Sequence, residues 1–152
     1  MKNKGFTLIE LLVVIAIIGV LSSVTLATLN VARAKGADAA IKADLDGIRK
    51  QTAIYFDDNG DYGVDVDDDC TAGMFADPAI TAALNHAVTT NGSNPAVCYA
   101  DDGDAVAGTA TSWAVAVPLK TNPATYWCID NVEYADVGTA QVDGITFVAS
   151  CI

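Results

Sequence analysis

Residues 6–29 read FTLIELLVVIAIIGVLSSVTLATL, and Glu10 is the only ionisable side chain in those 24 residues. As an α-helix the run is about 36 Å long, enough to cross roughly 30 Å of bilayer hydrocarbon. No compact domain of a 152-residue chain can bury a helix that is apolar on every side. The run therefore needs lipid or other protein around it. Lys2 and Lys4 precede it, which orients the N-terminus to the cytoplasm and the remainder outside. An ordinary secretory signal is the alternative. Its apolar core is about 7–15 residues and is followed by small residues at the cut. Ala32-Arg33-Ala34 fits that cleavage pattern, but here the run is longer, carries an acid near its start and continues into a polar helix.

Helical periodicity extends beyond the apolar run. Ile41, Leu45, Ile48, Thr52 and Tyr55 recur at steps of four and three, while Lys42, Asp46, Arg49 and Lys50 lie largely off that stripe. The pattern predicts one long helix over 6–56, apolar all round in its first half and amphipathic in its second. Asp57-Asp58-Asn59-Gly60 ends it. Gly19, Gly36 and Gly47 are candidate bends or close-approach points.

Glu10 constrains function most. An acid in an apolar segment costs on the order of 2.5–3.5 kcal/mol at the membrane centre and less near an edge, so such groups are usually paired. No base lies nearby in the segment. A cut after Gly5 would give Phe6 an α-ammonium, four residues and about 6 Å from Glu10 along a helix. Two chains staggered along a common axis bring those charges together more easily than one chain does.

The hexapeptide Gly5-Phe6-Thr7-Leu8-Ile9-Glu10, behind a short basic leader and ahead of a long apolar helix, resembles the processing site of type IV prepilins and of the pseudopilins of type II secretion. The likeness is strong over residues 1–29 and weaker to 56. It implies a prepilin peptidase that cuts between Gly5 and Phe6 and N-methylates Phe6. It also implies that Glu10 neutralises a neighbouring subunit's N-terminus during assembly on a pilus platform in the inner membrane. The fold it implies is α+β and pilin-like, a long N-terminal helix packed on a small antiparallel sheet. The expected layout is a leader at 1–5, a transmembrane and filament-core helix at 6–29, its amphipathic continuation at 30–56, and an acidic head at 57–152.

Within that head an irregular acidic stretch covers 61–77. Asp77-Pro78 then opens a short helix, with Asp77 as N-cap and Pro78 in the first turn. Ile80, Ala83, Leu84, Ala87 and Val88 form its apolar face. Strands are expected at 96–100, 112–119, 125–130 and 144–151, separated by Gly-, Asp- and Asn-rich turns that favour antiparallel pairing. In the second of these Trp113, Val115 and Val117 share a face.

Charge and cysteine chemistry bound the partners. From residue 57 onward there are fifteen acids and one base, Lys120, a formal −14. Such a surface repels phosphate backbones, so no direct nucleic-acid binding is expected. Cys70, Cys98, Cys128 and Cys151 form no CxxC pair, and His86 is the lone histidine, which argues against zinc. An even count beside an export segment points to two disulfides. Three connectivities are open, and Cys70–Cys98 with Cys128–Cys151 is favoured because each closes a short loop.

No cofactor is required by any motif. Calcium is the one candidate, at Asp61, Asp65, Asp67, Asp68 and Asp69, with Asp101, Asp102 and Asp104 as a second acidic loop. Residue 68, the twelfth position from Asp57, is Asp rather than the Glu an EF-hand needs, so the bland reading is a solvated acidic loop. His86 has no catalytic partner at a recognisable spacing and reads as a helix-surface residue. Trp113, Tyr126 and Trp127 read as core rather than a ligand patch. Asn91-Gly92-Ser93 matches the N-glycosylation pattern, which is common by chance. No phosphate-binding glycine loop, GxSxG or metal triad is present. The expected function is thus that of a structural, non-enzymatic subunit of a self-assembling pilus or pilus-like filament. A secretion pseudopilin is the alternative, and a secreted acidic domain behind a signal peptide is a further one.

Overall fold

A computed structural model of the chain describes residues 5–102, 108–142 and 149–151. The element order is α1 (Leu8–Asn59), β1 (Val66–Asp67), a 3₁₀ turn (Gly73–Ala76), α2 (Pro78–Asn91), β2 (Val97–Asp101), β3 (Ser112–Pro118), β4 (Tyr126–Asp130), β5 (Ala135–Val137), β6 (Ala140–Val142) and β7 (Ala149–Cys151). The class is α+β, a long N-terminal helix whose later part packs on a small antiparallel sheet. Two compact units divide the chain, Met1–Ala34 and Lys35–Ile152, and α1 contributes to both.

The first unit is helical from Leu8 onward. Its apolar side chains are uncovered all round: Phe6 is 87% exposed, Ile9 74% and Leu26 63%. Among the described residues α1 is the one helix long and apolar enough to cross a membrane. The leader lysines Lys2 and Lys4 lie outside the described residues.

In the second unit the helical stripe is buried as its spacing requires. Ile41, Leu45 and Ile48 are wholly inaccessible, Thr52 is buried, and Tyr55 packs at the edge of the same cluster. Each such aliphatic contributes roughly 1.5–3 kcal/mol by leaving water. α1 ends at Asn59, three residues beyond the expected boundary, and the Gly60 N–H then returns to the Phe56 carbonyl at 2.8 Å.

The five-stranded sheet has the order β1-β2-β3-β4-β5, antiparallel throughout. Alternation along β3 sorts its side chains into two cores. Trp113, Val115 and Val117 join α1, α2, Met74 and Phe75 in the larger core. Ala114 and Ala116 face the opposite way, into a small core with Cys128 and Cys151. Every residue of β3 is therefore buried. The second layer is the β6–β7 ribbon, a separate antiparallel pair. Alanines on that face leave room for it at close range.

Two disulfides tie the layers. Cys70 and Cys98 join the acidic segment to β2 with a Cα separation of 5.2 Å, and Cys128 and Cys151 join β4 to β7 at 5.8 Å. They close loops of 28 and 23 residues. β5 and β6 arise where no strand is expected from the sequence. The expected strand at 144–151 is described only as β7, because 143–148 lie outside the described residues.

α2 begins where Asp77-Pro78 places it. Asp77 Oδ1 accepts from the N–H groups of Ala79 (2.9 Å) and Ile80 (3.3 Å), two donors the helix cannot satisfy itself. Ile80, Leu84 and Ala87 are buried, while Ala83 packs at the margin of the cluster. Asp77→Ala is expected to cost about 1 kcal/mol, and so to lower the thermal midpoint by about 3–5 °C. Thermal unfolding of the detergent-solubilised chain measures this, and an unchanged midpoint would show that the cap is dispensable.

Candidate processing and assembly site

Gly5 and Phe6 precede α1, are exposed, and have open backbone around them; a Cβ on Gly5 would meet nothing within 4 Å. A peptidase needs such an accessible junction. Thr7 follows as N-cap and Glu10 stands at the third helical position. The Thr7 N–H donates to Glu10 Oε2 at 2.8 Å, and the Thr7 hydroxyl donates to the same oxygen at 2.7 Å. The Glu10 N–H in turn reaches Thr7 Oγ1 at 3.3 Å, and the Thr7 carbonyl accepts from the Leu11 N–H. This is a reciprocal capping box. Its signature, Thr-x-x-Glu ahead of an apolar run, is local and readable. Treating Glu10 only as a charge awaiting a partner leaves Thr7 out.

The geometry gives Glu10 two roles. One carboxylate oxygen starts the helix. The other, Oε1, makes no hydrogen bond to any described residue, so the side chain retains an acceptor while fixed in place by Thr7.

The remaining sites read from the sequence do not gather around this one. Asp61 Oδ1 accepts from the Gly63 N–H, and Asp65 Oδ2 from the Gly108 N–H. Asp67 pairs with Tyr99 across β1 and β2. Asp68 sits at a φ of 52°. Asp69 Oδ1 accepts first the hydroxyl and then the N–H of Thr71, which hold its carboxyl below the usual carboxylate range. The Tyr99 phenol is pushed up, by burial first and then by the charges of Asp68 and Asp67. Among the described residues no group of three or more His, Cys, Asp or Glu side chains is placed to hold a metal. Among the described residues, Asp61, Asp65 and Asp69 thus accept from backbone N–H groups and Asp67 sits in β1. Asp104 lies outside the described residues.

His86 is exposed on α2, and its Nδ1 lies 2.7 Å from Asp44 Oδ2 on α1, a partner 42 positions away that no spacing rule reveals. Trp113 is a core residue, and Trp127 lies under the Lys42 ammonium, 3.7 Å from the ring centroid. Asn91 is buried and exchanges hydrogen bonds with the Asn94 backbone, so the glycosylation pattern falls on an inaccessible amide.

Comparison with known proteins converges on the N-terminus. Residues 1–26 match the family described as the prokaryotic N-terminal methylation motif. The type IV wide pilus major component PilA4 of Thermus thermophilus is 46% identical over 63 residues, 41% of this chain and 48% of the relative. The type IV major fimbrial protein FimA of Dichelobacter nodosus is 33% identical over 95 residues, 61% of this chain and 56% of that relative. The matches therefore span about half the length of each relative. No solved structure matches the chain. With its capped Glu10 and its uncovered apolar helix, this chain carries the prokaryotic N-terminal methylation motif over residues 1–26 and is similar over part of its length to type IV pilus and fimbrial proteins.

Proposed function

We propose that the chain is a structural subunit of a type IV pilus or pilus-like filament, polymerising with copies of itself through α1. The observation that carries this is an apolar helical surface uncovered on all sides from Phe6 to Val31, with Glu10 as its one acid. In lipid that surface anchors the subunit, and in a filament the same surface packs against other copies. The membrane is thus a reservoir, with the N-terminus in the cytoplasm and the acidic unit outside. A prepilin peptidase removes residues 1–5 and N-methylates Phe6, and an assembly platform feeds subunits into the filament. Residues 6–29 then form the filament core and 30–56 link it to the head. Both relatives are type IV pilus or fimbrial proteins, which favours a surface pilus over a secretion pseudopilus.

Mass spectrometry of filament and membrane fractions tests the processing step. The mature chain should begin with N-methylated Phe6; a chain beginning at Lys35 would instead indicate a signal peptide. Gly5→Leu is expected to accumulate as uncut precursor in the membrane. Normal maturation of that variant would remove the processing part of the reading.

A further inference from the structure

A cavity of about 190 Å³ opens between α1 and the turn that joins β4 to β5, lined by Arg49, Thr52, Tyr62, Trp113, Asp130 and Glu133 among others. Two donors in its wall have no acceptor among the described residues, Nε1 of Trp113 and Nε of Arg49, and both atoms are buried. Trp113 itself is 1% exposed. An orphaned buried donor costs about 1–3 kcal/mol, so two in one cavity call for an explanation.

The buried acceptors of Asp130, Asn131 and Thr52 are already engaged, while the Glu133 carboxylate, also in the wall, is exposed. Asp130 Oδ1 accepts from the N–H groups of Val132 and Tyr134, both at 3.0 Å, and Oδ2 from that of Cys151 at 3.2 Å. Asn131 Oδ1 accepts from the backbone N–H of Trp113. The Thr52 hydroxyl donates to the Arg49 carbonyl. Arg49 Nη2 donates to the Tyr134 carbonyl, which draws the guanidinium across the cavity mouth without neutralising it. Among the described residues no carboxylate forms an ion pair with Arg49, the exposed Glu133 included.

A half-buried guanidinium and an indole N–H with no acceptor form a site for an acceptor oxygen, and the unpaired positive charge selects an anionic one. We propose that this cavity is a socket for a carboxylate presented by a second copy of the chain. The inference rests on the filament reading. The charge distribution supplies the partner: beyond residue 56 the chain has fifteen acids and one base, so a neighbouring copy offers carboxylates almost exclusively. Exposed aspartates such as Asp57 and Asp58 make no hydrogen bond in their own subunit among the described contacts. Seating one of them relieves both orphaned donors and offsets part of the repulsion that crowding acidic units creates.

Two measurements test it. In the first, formate is titrated into the full chain in detergent micelles while the indole N–H resonances are followed by NMR, with Trp127→Phe assigning the Trp113 signal. The Trp113 signal should move saturably, and Arg49→Gln should abolish the movement. A signal indifferent to formate would overturn the socket, leaving a cavity that holds water alone. In the second, filament and membrane-pool protein are compared for Arg49→Gln and Trp113→Phe, the latter keeping an aromatic side chain while losing the indole donor and some core volume. Each should lower the filament fraction by about tenfold or more, the scale of one charge-assisted hydrogen bond. Both disulfides should still form. Formate binding with undiminished filaments would overturn a second copy as the source of the carboxylate. If wild-type chains made no filament at all, the filament reading would fall, while the formate titration would still report on the socket.

Discussion

Glu10→Gln should insert into the membrane and be cut after Gly5, then fail to enter filaments. Insertion depends on the apolar surface, which the change leaves intact. Cleavage depends on the exposed Gly5-Phe6 junction, which lies outside the helix. Docking is different. A processed neighbour would bring an α-ammonium on Phe6 into a region where lipid solvates charge poorly. Stranding one member of such a buried pair typically costs about 3–5 kcal/mol, or more than a hundredfold in an equilibrium. Gln keeps an oxygen that can accept from the Thr7 N–H, so the first turn of α1 should survive. The capping box therefore separates helix initiation from docking in this variant. Thr7→Ala makes the complementary change, keeping the charge of Glu10 and the backbone N–H bond but removing the hydroxyl bond that helps fix it; its expected defect is smaller. The readout is the ratio of sheared filament protein to membrane-pool protein. An unchanged ratio for Glu10→Gln would show that apolar packing alone drives polymerisation.

The contrast between what was legible in this sequence and what was not follows the range of the interactions. The stripe of Ile41, Leu45 and Ile48, the Asp77-Pro78 helix start and the alternation of β3 all depend on neighbours a few positions apart, and the structure contains each of them. Sequence alternation foretold the Trp113 face of β3. It could not say that Ala114 and Ala116 would be covered as well, because the cover is a ribbon that pairs 149–151, within the strand expected at 144–151, with 140–142, where no strand is expected. Cysteine spacing ranked the pairings without deciding among them; it is the register of β4 and the course of β7 that set Cys128 beside Cys151. Contacts that bridge distant segments were out of reach altogether. His86 meets Asp44, and Asp38 accepts from the N–H groups of Lys120 and Thr121, more than eighty positions away. The Arg49 cavity belongs to this class, since its lining comes from four separate parts of the chain.

Gly63→Ala should be among the most destabilising single-methyl changes in the acidic unit. Gly63 has a φ of +87°, and a Cβ there would lie 2.8 Å from the Gly73 Cα and 3.1 Å from the Met74 nitrogen, all backbone atoms that cannot swing aside. Gly73 is its counterpart, at a φ of +56°, with a Cβ 2.9 Å from the Val64 carbonyl oxygen. Two chain segments cross here in direct backbone contact. The crossing is fixed by the Met74 N–H to the Tyr62 carbonyl at 3.0 Å, and by Tyr62 and Gly63 pairing with Ala110. It delivers Met74 and Phe75, both wholly buried, into the larger core and sets Tyr62 edge-on to Trp113. An added methyl must adopt a disfavoured backbone conformation and also push the segments apart, which together cost about 3–5 kcal/mol. Gly60→Ala separates the two effects. Gly60 has nearly the same φ, +85°, but nothing within 4 Å of its Cβ position, so only the conformational cost remains, about 1–2 kcal/mol. Chemical denaturation of the two variants should therefore differ by about 2 kcal/mol or more. Equal losses would mean that the segments do not cross in contact, and that the placement of Met74 and Phe75 depends on the Cys70–Cys98 bond rather than on the two glycines.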